Sequence, residues 1–224
     1  MLMVHISNKV KSVATALPVC LFALMLVAVS CKDEDSTAVE EFPNWQSKND
    51  FYFASLYNDT KAKIDAGDTQ WLLLPGFNKP NLHTSSVPYP YAYYDYVVVE
   101  KITEPEVDNS DEVNSPLDTD SAEVHYIGKL LPSTSYPDGA EFNRSFDGEF
   151  DPVVATPISF YVGGLITGFR TALYRMHRKD HWRVYIPYQL GYGTTVAGDI
   201  PAFSDLIFDI RLVDFWRKER GDRD

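Results

Sequence analysis

Residues 181–214, HWRVYIPYQLGYGTTVAGDIPAFSDLIFDIRLVD, predict two strands joined by a loop rich in glycine and tyrosine. Apolar and polar residues alternate in both outer segments, as in strands that bury one face. The loop between them carries Tyr192 and Ile200 among its glycines and prolines. We interpret it as a loop that folds over a pocket. The apolar face of the last segment consists of Leu206, Phe208, Ile210 and Leu212.

The composition is that of a globular protein with one real core. The chain has 224 residues, of which 45% are hydrophobic and 14% aromatic, and its net charge is −12. A chain of this length forms one domain or two small ones. The acidic surface argues against binding nucleic acid, because phosphate recognition needs a cationic face.

The N-terminus predicts an export signal. Two lysines, Lys9 and Lys11, precede an apolar run over residues 17–29, which is too short for a comfortable membrane span. The run ends in small residues before Cys31, and this arrangement resembles a bacterial lipoprotein signal, in which cleavage leaves a lipid-bearing cysteine as the new N-terminus. An uncleaved signal anchor is the alternative. Cys20 and Cys31 are the two cysteines of the chain, so no disulfide is expected in the globular part.

An acidic tether follows the cysteine. Residues 32–35, KDED, resemble the short signal that sends lipoproteins of Bacteroidetes-type bacteria to the cell surface, and a solvated acidic linker is the equal alternative. We therefore expect a signal peptide at residues 1–30 and a linker at 31–41. The expected location is the bacterial outer membrane, on its periplasmic or cell-surface face, with the chain held by lipid on Cys31.

Residues 42–92 predict a helical extension before the main domain. A helix is expected over residues 44–66, capped by Asn44 and stopped by Gly67. A short strand, residues 71–75, and a tyrosine-rich segment, residues 89–96, follow. These tyrosines with Trp71 either pack the extension on the main sheet or bind sugar or peptide. The predicted apolar face of the helix consists of Trp45, Tyr52, Leu56 and Ile64, widened by Phe53 and Tyr57.

The remaining segments predict an α+β fold. Short strands and loops surround one short helix, and this pattern indicates a mostly antiparallel sheet. We place the main domain at residues 93–216 and a charged tail at 217–224. The predicted elements of this domain are strands at 93–102, 122–131, from 141, 158–162, from 181 and from 206, and a helix at 168–176.

The sequence contains none of the common catalytic motifs. There is no phosphate-binding Gly-x-x-x-x-Gly-Lys loop, no Gly-x-Ser-x-Gly elbow and no His-Glu-x-x-His. His177 and His181 are four residues apart, but the helix is expected to end between them, and adjacent basic residues disfavour a dication. His125 lies in the middle of a strand and is expected to be structural. We therefore expect neither a metal nor another cofactor.

Five stretches of the chain, taken in order, share their spacing with one known family. They are VHYIG (124–128), GAEFN (139–143), GGLITGF (163–169), IPYQLGYG (186–193), and IP (200–201) followed by LIFDIRL (206–212). Together they make residues 93–216 resemble the FKBP-type peptidyl-prolyl cis–trans isomerase domain. The resemblance implies a twisted antiparallel sheet wrapped around a short helix, and isomerase activity on proline-containing polypeptides.

The resemblance also implies a proline-binding pocket. Phe169 would form its floor, the Ile166 N–H and the Tyr192 hydroxyl would hold substrate carbonyls, and Ile200 would overhang it. A purely structural place in the core is the alternative for each residue, and it is least expected for Tyr192 between its glycines. The implied site residues are Tyr126, Phe142, Asn143, Leu165, Ile166, Phe169, Tyr192, Ile200 and Phe208.

Several positions depart from the family pattern. Asn143 stands where the family has aspartate, which removes a negative charge, and Phe169 replaces tryptophan. Ala172 and the turn at residues 178–180 replace glycines, and an insertion around residues 150–155 is expected near the pocket rim. These departures predict reduced activity. The alternatives are a non-catalytic module that binds proline peptides or acts as a chaperone, and a surface lipoprotein that binds glycan or a partner protein.

Overall fold

A seven-stranded antiparallel sheet organises the fold. The computed structural model describes residues 40–80, 90–102 and 115–217. The predicted α+β architecture, with its N-terminal helix and its short second helix, is confirmed. In chain order the elements are α1 (Trp45–Asp65), β1 (Trp71–Pro75), β2 (Tyr96–Lys101), β3 (Asp120–Lys129), β4 (Glu141–Arg144), β5 (Ile158–Tyr161), α2 (Thr167–Leu173), β6 (His181–Ile186) and β7 (Leu206–Arg217).

The strand order is β1-β2-β6-β7-β3-β4, and β5 also pairs with β3. The two short strands share one edge of β3, because β5 pairs with residues 121–124 and β4 with residues 127–129. Every pair is antiparallel. The longest pairing is that between β3 and β7, which carry Tyr126 and Phe208 of the candidate site.

The sheet has an inner face, which α2 covers, and an outer face. On β7 the predicted alternation is confirmed, since Leu206, Phe208, Ile210 and Leu212 are buried and belong to the core. Their neighbours Ile207, Asp209 and Arg211 face outward and are half-buried. Strand β6 repeats this pattern from Trp182 to Ile186.

The buried side of α1 differs from the predicted one. Tyr52, Leu56 and Ile64 are only half-buried, whereas Asn49 and Thr60 are fully buried. Polar contacts with the loop before β7 determine this orientation. The indole N–H of Trp45 donates to Ser204 Oγ at 2.8 Å, and Asn49 Oδ1 accepts from the Asp205 N–H at 2.8 Å. The buried residues of α1 are Trp45, Asn49, Phe53, Tyr57 and Thr60.

Asn44 stands at the predicted N-cap position of α1, but it does not cap the helix through its side chain. Asn44 has a left-handed backbone with φ of 51°, and its side chain makes no capping hydrogen bond. The start of the helix is held instead by the tertiary contacts of Trp45. At the other end α1 stops at Asp65, two residues before Gly67, close to the predicted end.

The predicted extension and the predicted main domain share one sheet. Strand β1 pairs with β2 from Trp71 opposite Glu100 to Pro75 opposite Tyr96, and the described residues from Glu40 onward belong to one compact unit. Tyr96 is buried with its ring 5.4 Å from that of Tyr57 on α1, so this part of the tyrosine cluster packs the helix on the sheet.

Part of the predictions falls outside the described residues. These are the signal peptide, Cys31 and the linker up to residue 39, Tyr89, most of the acidic loop before β3, and the tail after Arg217. No helix in the described part of the chain is both long and apolar enough to cross a bilayer.

Candidate functional site

A cavity of about 420 Å³ lies between the inner face of the sheet and α2. All nine residues predicted as the site line it. Three further residues, Phe160, Gly164 and Ala197, also line the cavity and were not predicted. Phe160 is an apolar residue of β5, and Ala197 lies in the loop that was predicted to fold over the pocket, so both could have been inferred from the sequence. The lining consists of Tyr126, Phe142, Asn143, Phe160, Gly164, Leu165, Ile166, Phe169, Tyr192, Ala197, Ile200 and Phe208.

Aromatic rings form the base of the cavity. Phe169, which α2 places there, is buried, and its ring centroid lies 5.1 Å from that of Phe208 at an interplanar angle of 83°. Tyr126 meets Phe169 edge-on at 6.2 Å, and Phe142 meets Phe208 edge-on at 5.5 Å. Edge-to-face contacts of this kind are favourable by about 0.5–1.5 kcal/mol beyond area burial. The rings therefore form a preorganised apolar surface.

Gly128 allows these rings to lie against the sheet. A Cβ at this position would come within 2.6 Å of Phe142 Cζ and 2.8 Å of Phe208 Cε1, which is closer than carbon atoms approach in real structures. The glycine that ends the VHYIG stretch is therefore required by close packing of the pocket rings. Its place on β3, opposite Phe208 on β7, explains why the stretch ends in glycine.

The loop between β6 and β7 covers one side of the cavity. Ala197 and Ile200 form a closed turn through two backbone hydrogen bonds of 3.0 Å, and Gly198 within it has φ of 58°. This turn buries Ile200 against the cavity, whereas Tyr192 stays at the rim with 41% of its surface exposed. The loop thus has a fixed shape and presents one apolar and one hydroxyl-bearing side chain.

The polar atoms of the cavity are uncharged. The Tyr126 hydroxyl donates to Asn143 Oδ1 at 2.6 Å. Burial, with a smaller contribution from Tyr192, raises the pKa of Tyr126, so its hydroxyl stays protonated at neutral pH. Among the described residues, no Asp, Glu, Lys, Arg or His lines the cavity. The site therefore offers hydrogen bonds and apolar surface, but no carboxylate, imidazole or amine among the described residues to transfer a proton.

The structure corrects one predicted feature of the rim. The segment around residues 150–155 was expected near this cavity, but Phe150 lies on the outer face of the sheet, 5.0 Å from the His125 ring. Strand β4 ends at Arg144, and the chain then runs toward the outward-facing side chains of β3. This path places Phe150 on the outer face. His125 is accordingly buried beneath aromatic rings and does not reach the inner cavity.

The candidate histidine pair does not form a metal site. His177 lies after α2 and is 3.6 Å from Asp180, whereas His181 begins β6 and is 2.5 Å from Asp209. The described residues contain no group of three His, Cys, Asp or Glu side chains placed to hold a metal ion.

The proposed sugar-binding aromatics are largely engaged in packing. Trp71 lies beside Tyr185 with a centroid distance of 6.5 Å and has the Lys63 ammonium 3.6 Å from its ring centroid. Tyr96 is buried, and Tyr94 is exposed to 40%. This burial weakens the hypothesis of a glycan-binding surface there.

Comparison with known proteins agrees with the geometry of the cavity. Residues 113–213 match the family described as FKBP-type peptidyl-prolyl cis-trans isomerase. This part of the chain is an FKBP-type domain, and the match covers every residue of the cavity lining. The resemblance predicted from the five sequence stretches is therefore confirmed for the domain.

Two relatives show how far the similarity extends. The chain is 35% identical over 100 residues to the macrophage infectivity potentiator of Trypanosoma cruzi, covering 44% of this chain and 45% of that protein. It is 38% identical over 108 residues to the FKBP-type 22 kDa peptidyl-prolyl cis-trans isomerase of Escherichia coli, covering 47% of this chain and 46% of that protein. The matches thus span about half the length of these relatives.

Among solved structures, the peptidyl-prolyl cis-trans isomerase of Pseudomonas syringae aligns with a TM-score of 0.44 at 20% identity. That alignment covers 74% of this chain and 96% of the other. A score of this size does not decide the fold, which rests on the strand order and on the family match.

Proposed function

We propose that this protein catalyses cis–trans isomerisation of X-Pro bonds in polypeptides. The observation that carries the proposal is the aromatic cavity in an FKBP-type domain, lined without a charged side chain among the described residues. Rotation about the peptide bond makes and breaks no covalent bond, so it needs no acid, base or nucleophile. A site that is apolar, shaped and uncharged fits this reaction and fits few others.

The physical basis of catalysis is the polarity of the amide. The planar peptide bond owes its barrier of about 18–20 kcal/mol to resonance, which places negative charge on the carbonyl oxygen. Twisting the bond removes the resonance and lowers the charge separation. An apolar pocket disfavours the planar, polar ground state relative to the twisted transition state, and this difference lowers the barrier.

The residues have separate roles in this proposal. The rings of Phe169 and Phe208 receive the proline ring at the base of the cavity. The backbone N–H of Ile166, just before α2, and the hydroxyl of Tyr192 at the rim hold the carbonyl groups that flank the reacting bond. Ile200 covers the bound segment and excludes water from it. These contacts orient the chain while the prolyl bond rotates.

The test is a proline-limited refolding assay with the full chain. Uncatalysed X-Pro isomerisation takes tens to hundreds of seconds, so acceleration is easy to time. We expect a measurable but reduced rate, because Asn143 replaces the carboxylate of the family. A refolding rate equal to the background at high concentration of folded protein would contradict the enzyme proposal.

Asn143 also supports a second candidate, a module that binds proline peptides without useful catalysis. The two functions are separated by measuring binding and rate on the same peptide. Saturable binding of a proline peptide, weakened by Phe169→Ala and accompanied by no acceleration, would favour the binding module.

We further propose that the protein is a lipoprotein of a Bacteroidetes-type bacterium. The support is the predicted signal before Cys31 and the KDED stretch after it. In this proposal the clients are extracytoplasmic proteins, and the domain is tethered to the outer membrane by lipid on the cysteine.

Metabolic labelling with radioactive palmitate in such a bacterium tests the lipid anchor. The wild-type chain should incorporate label and enter the membrane fraction, and Cys31→Ala should lose both. Cys20→Ala is the matched control, because this cysteine lies within the predicted signal and should not affect labelling. Equal labelling of the Cys31→Ala variant would refute the assignment, and protease treatment of intact cells would report which membrane face carries the domain.

A further inference from the structure

A second, larger cavity lies on the outer face of the sheet. It is an open groove of about 590 Å³ and shares only Tyr126 with the inner cavity. Its floor consists of outward-facing side chains of β3, β7 and β6, which are His125, Ile127, Lys129, Ile207, Asp209, Arg211, His181, Arg183 and Tyr185. Its sides are Tyr52 of α1, Pro132, Pro137 and Asp138 of the loop after β3, and Phe146 and Phe150. The proposed isomerase reaction uses none of these groups.

Two aromatic rings close one end of the groove. Phe146 and Phe150 meet edge-on at 5.1 Å. Phe150 also lies 5.0 Å from the ring of His125 and 4.5 Å from the guanidinium of Arg211. The segment predicted as an insertion near the proline pocket therefore builds a wall of this groove instead. Edge contacts with a buried imidazole and a guanidinium over the Phe150 ring give this wall a fixed position.

The groove carries an excess of positive charge in an acidic protein. Its lining contains three cations, Lys129, Arg183 and Arg211, and two carboxylates, Asp138 and Asp209, whereas the chain as a whole has a net charge of −12. Lys129 makes no ion pair among the described residues. Arg183 also lies 3.7 Å from Glu100, just outside the lining, so Lys129 is the cation of the floor that attracts an anionic group.

The central carboxylate of the floor, Asp209, is already bonded to neighbouring side chains. His181 Nε2 lies 2.5 Å from Asp209 Oδ1, and Arg183 donates to Asp209 Oδ2 at 3.3 Å. Burial favours the neutral acid, but the hydrogen bond from His181 and the charges of Arg183 and Arg211 outweigh it and lower the pKa of Asp209. Since Asp209 and Arg183 are thus paired with each other, Lys129 is the charged group of the floor that meets a ligand.

The dimensions favour an extended chain as the ligand. The floor spans three neighbouring strands, β3, β7 and β6, and two strand spacings amount to about 10 Å. An extended peptide rises about 3.3 Å per residue, so roughly three residues cross the floor. The groove is open to solvent above its floor, which suits an extended segment that continues beyond the floor better than a compact small molecule.

We propose that the outer groove binds an extended, acidic segment of polypeptide, with a carboxylate on Lys129 and its apolar side chains against Ile127, Ile207 and Phe150. The polypeptide nature of the ligand rests on the proposed function, since an isomerase meets unfolded chains. The groove would hold one part of a client while the inner cavity acts on a proline elsewhere in it.

Fluorescence anisotropy with the full chain tests this proposal. The probe is a labelled, proline-free peptide rich in glutamate and phenylalanine, and the control probe has lysine in place of every glutamate. We expect saturable binding of the acidic probe that weakens as salt rises, and no comparable binding of the basic one. Phe150→Ala should weaken the acidic probe about tenfold and Lys129→Gln about threefold.

Matched variants outside the groove separate local from general effects. Phe51→Ala, on an exposed ring of α1, and Lys61→Gln, also on α1, should leave the affinity unchanged. Lys129→Gln remains decisive if Phe150→Ala fails to fold, because Lys129 is a partly exposed side chain. Equal affinity for both probes, or unchanged affinity in the groove variants, would overturn the proposal.

The isomerase assay on a short proline peptide keeps the two proposals distinguishable. Phe150→Ala and Lys129→Gln should retain the wild-type rate, because neither residue lines the inner cavity. Acidic-probe binding without isomerase activity would refute the proposed function and leave the groove in place. Isomerase activity without acidic-probe binding would refute the groove alone.

Discussion

The amide of Asn143 is the feature of the cavity that most directly limits catalysis. Its oxygen accepts the Tyr126 hydroxyl at 2.6 Å, so the –NH₂ group is its remaining polar group at the cavity. An N–H that donates to the carbonyl oxygen of a bound X-Pro amide stabilises the planar, charge-separated form. This stabilisation is lost as the bond twists, and the barrier therefore rises.

Asn143→Asp removes this donor and keeps the acceptor for Tyr126. A single hydrogen bond contributes about 1 kcal/mol net. If this interaction favours the ground state by that amount, its removal lowers the barrier by the same amount, which corresponds to a rate increase of about fivefold. A carboxylate also accepts more strongly than an amide, so the Tyr126 ring should be held at least as firmly as in the parent.

The assay is kcat/KM on a short proline peptide, measured alongside thermal unfolding. Asn58→Asp, on an exposed position of α1, adds the same charge away from the cavity and should leave the rate unchanged. The gain in Asn143→Asp should disappear as the pH falls through the range in which a carboxyl protonates, about pH 4, because the acid then donates again. An unchanged or lower rate in a variant with parental stability would refute this role of Asn143.

Three further predictions concern the ring of Phe208, the buried carboxyl group of Asp205 and the backbone conformation of Lys179. Phe208→Ala should abolish isomerase activity and lower the unfolding free energy by about 3–5 kcal/mol, measured by urea unfolding. Burial raises the pKa of Asp205 to about 8, above that of the unfolded chain, so stability should fall as pH rises from about 4 through 8. Asp205→Asn keeps the acceptor for the Tyr188 N–H and should therefore flatten this dependence and be more stable than the parent at pH 9. Lys179 has a left-handed backbone with φ of 74°, so Lys179→Gly should raise stability by about 0.5 kcal/mol and Tm by about 1–2 °C.

Each of these predictions has an outcome that contradicts it. Full activity in Phe208→Ala would remove this ring from the binding surface for proline. A pH profile of unfolding that is the same in Asp205→Asn and the parent would show that Asp205 is charged in the folded protein. A lower Tm for Lys179→Gly would mean that the lysine side chain contributes more than its backbone conformation costs.

Much of the fold and the cavity was predictable from local patterns. Alternation along β7 identified the buried face that includes Phe208, because successive strand residues point to opposite sides of a sheet. Short stretches such as VHYIG identified the domain, and the nine residues taken from the resemblance all line one cavity. Their part in catalysis stays a prediction that the kinetic assays will decide.

The sequence by itself determined the class of fold, the domain family and the residues of the inner cavity, since these depend on periodicity and on stretches of five to eight residues. Only the tertiary structure decided which side of α1 is buried and where Phe150 lies. Asn49 is buried because it bonds Asp205, which is 156 residues away, and no local hydrophobicity pattern reports such a pairing. The outer groove likewise arises from loops and strands that are distant in the chain, because its charges converge only when β3, β7 and β6 lie side by side.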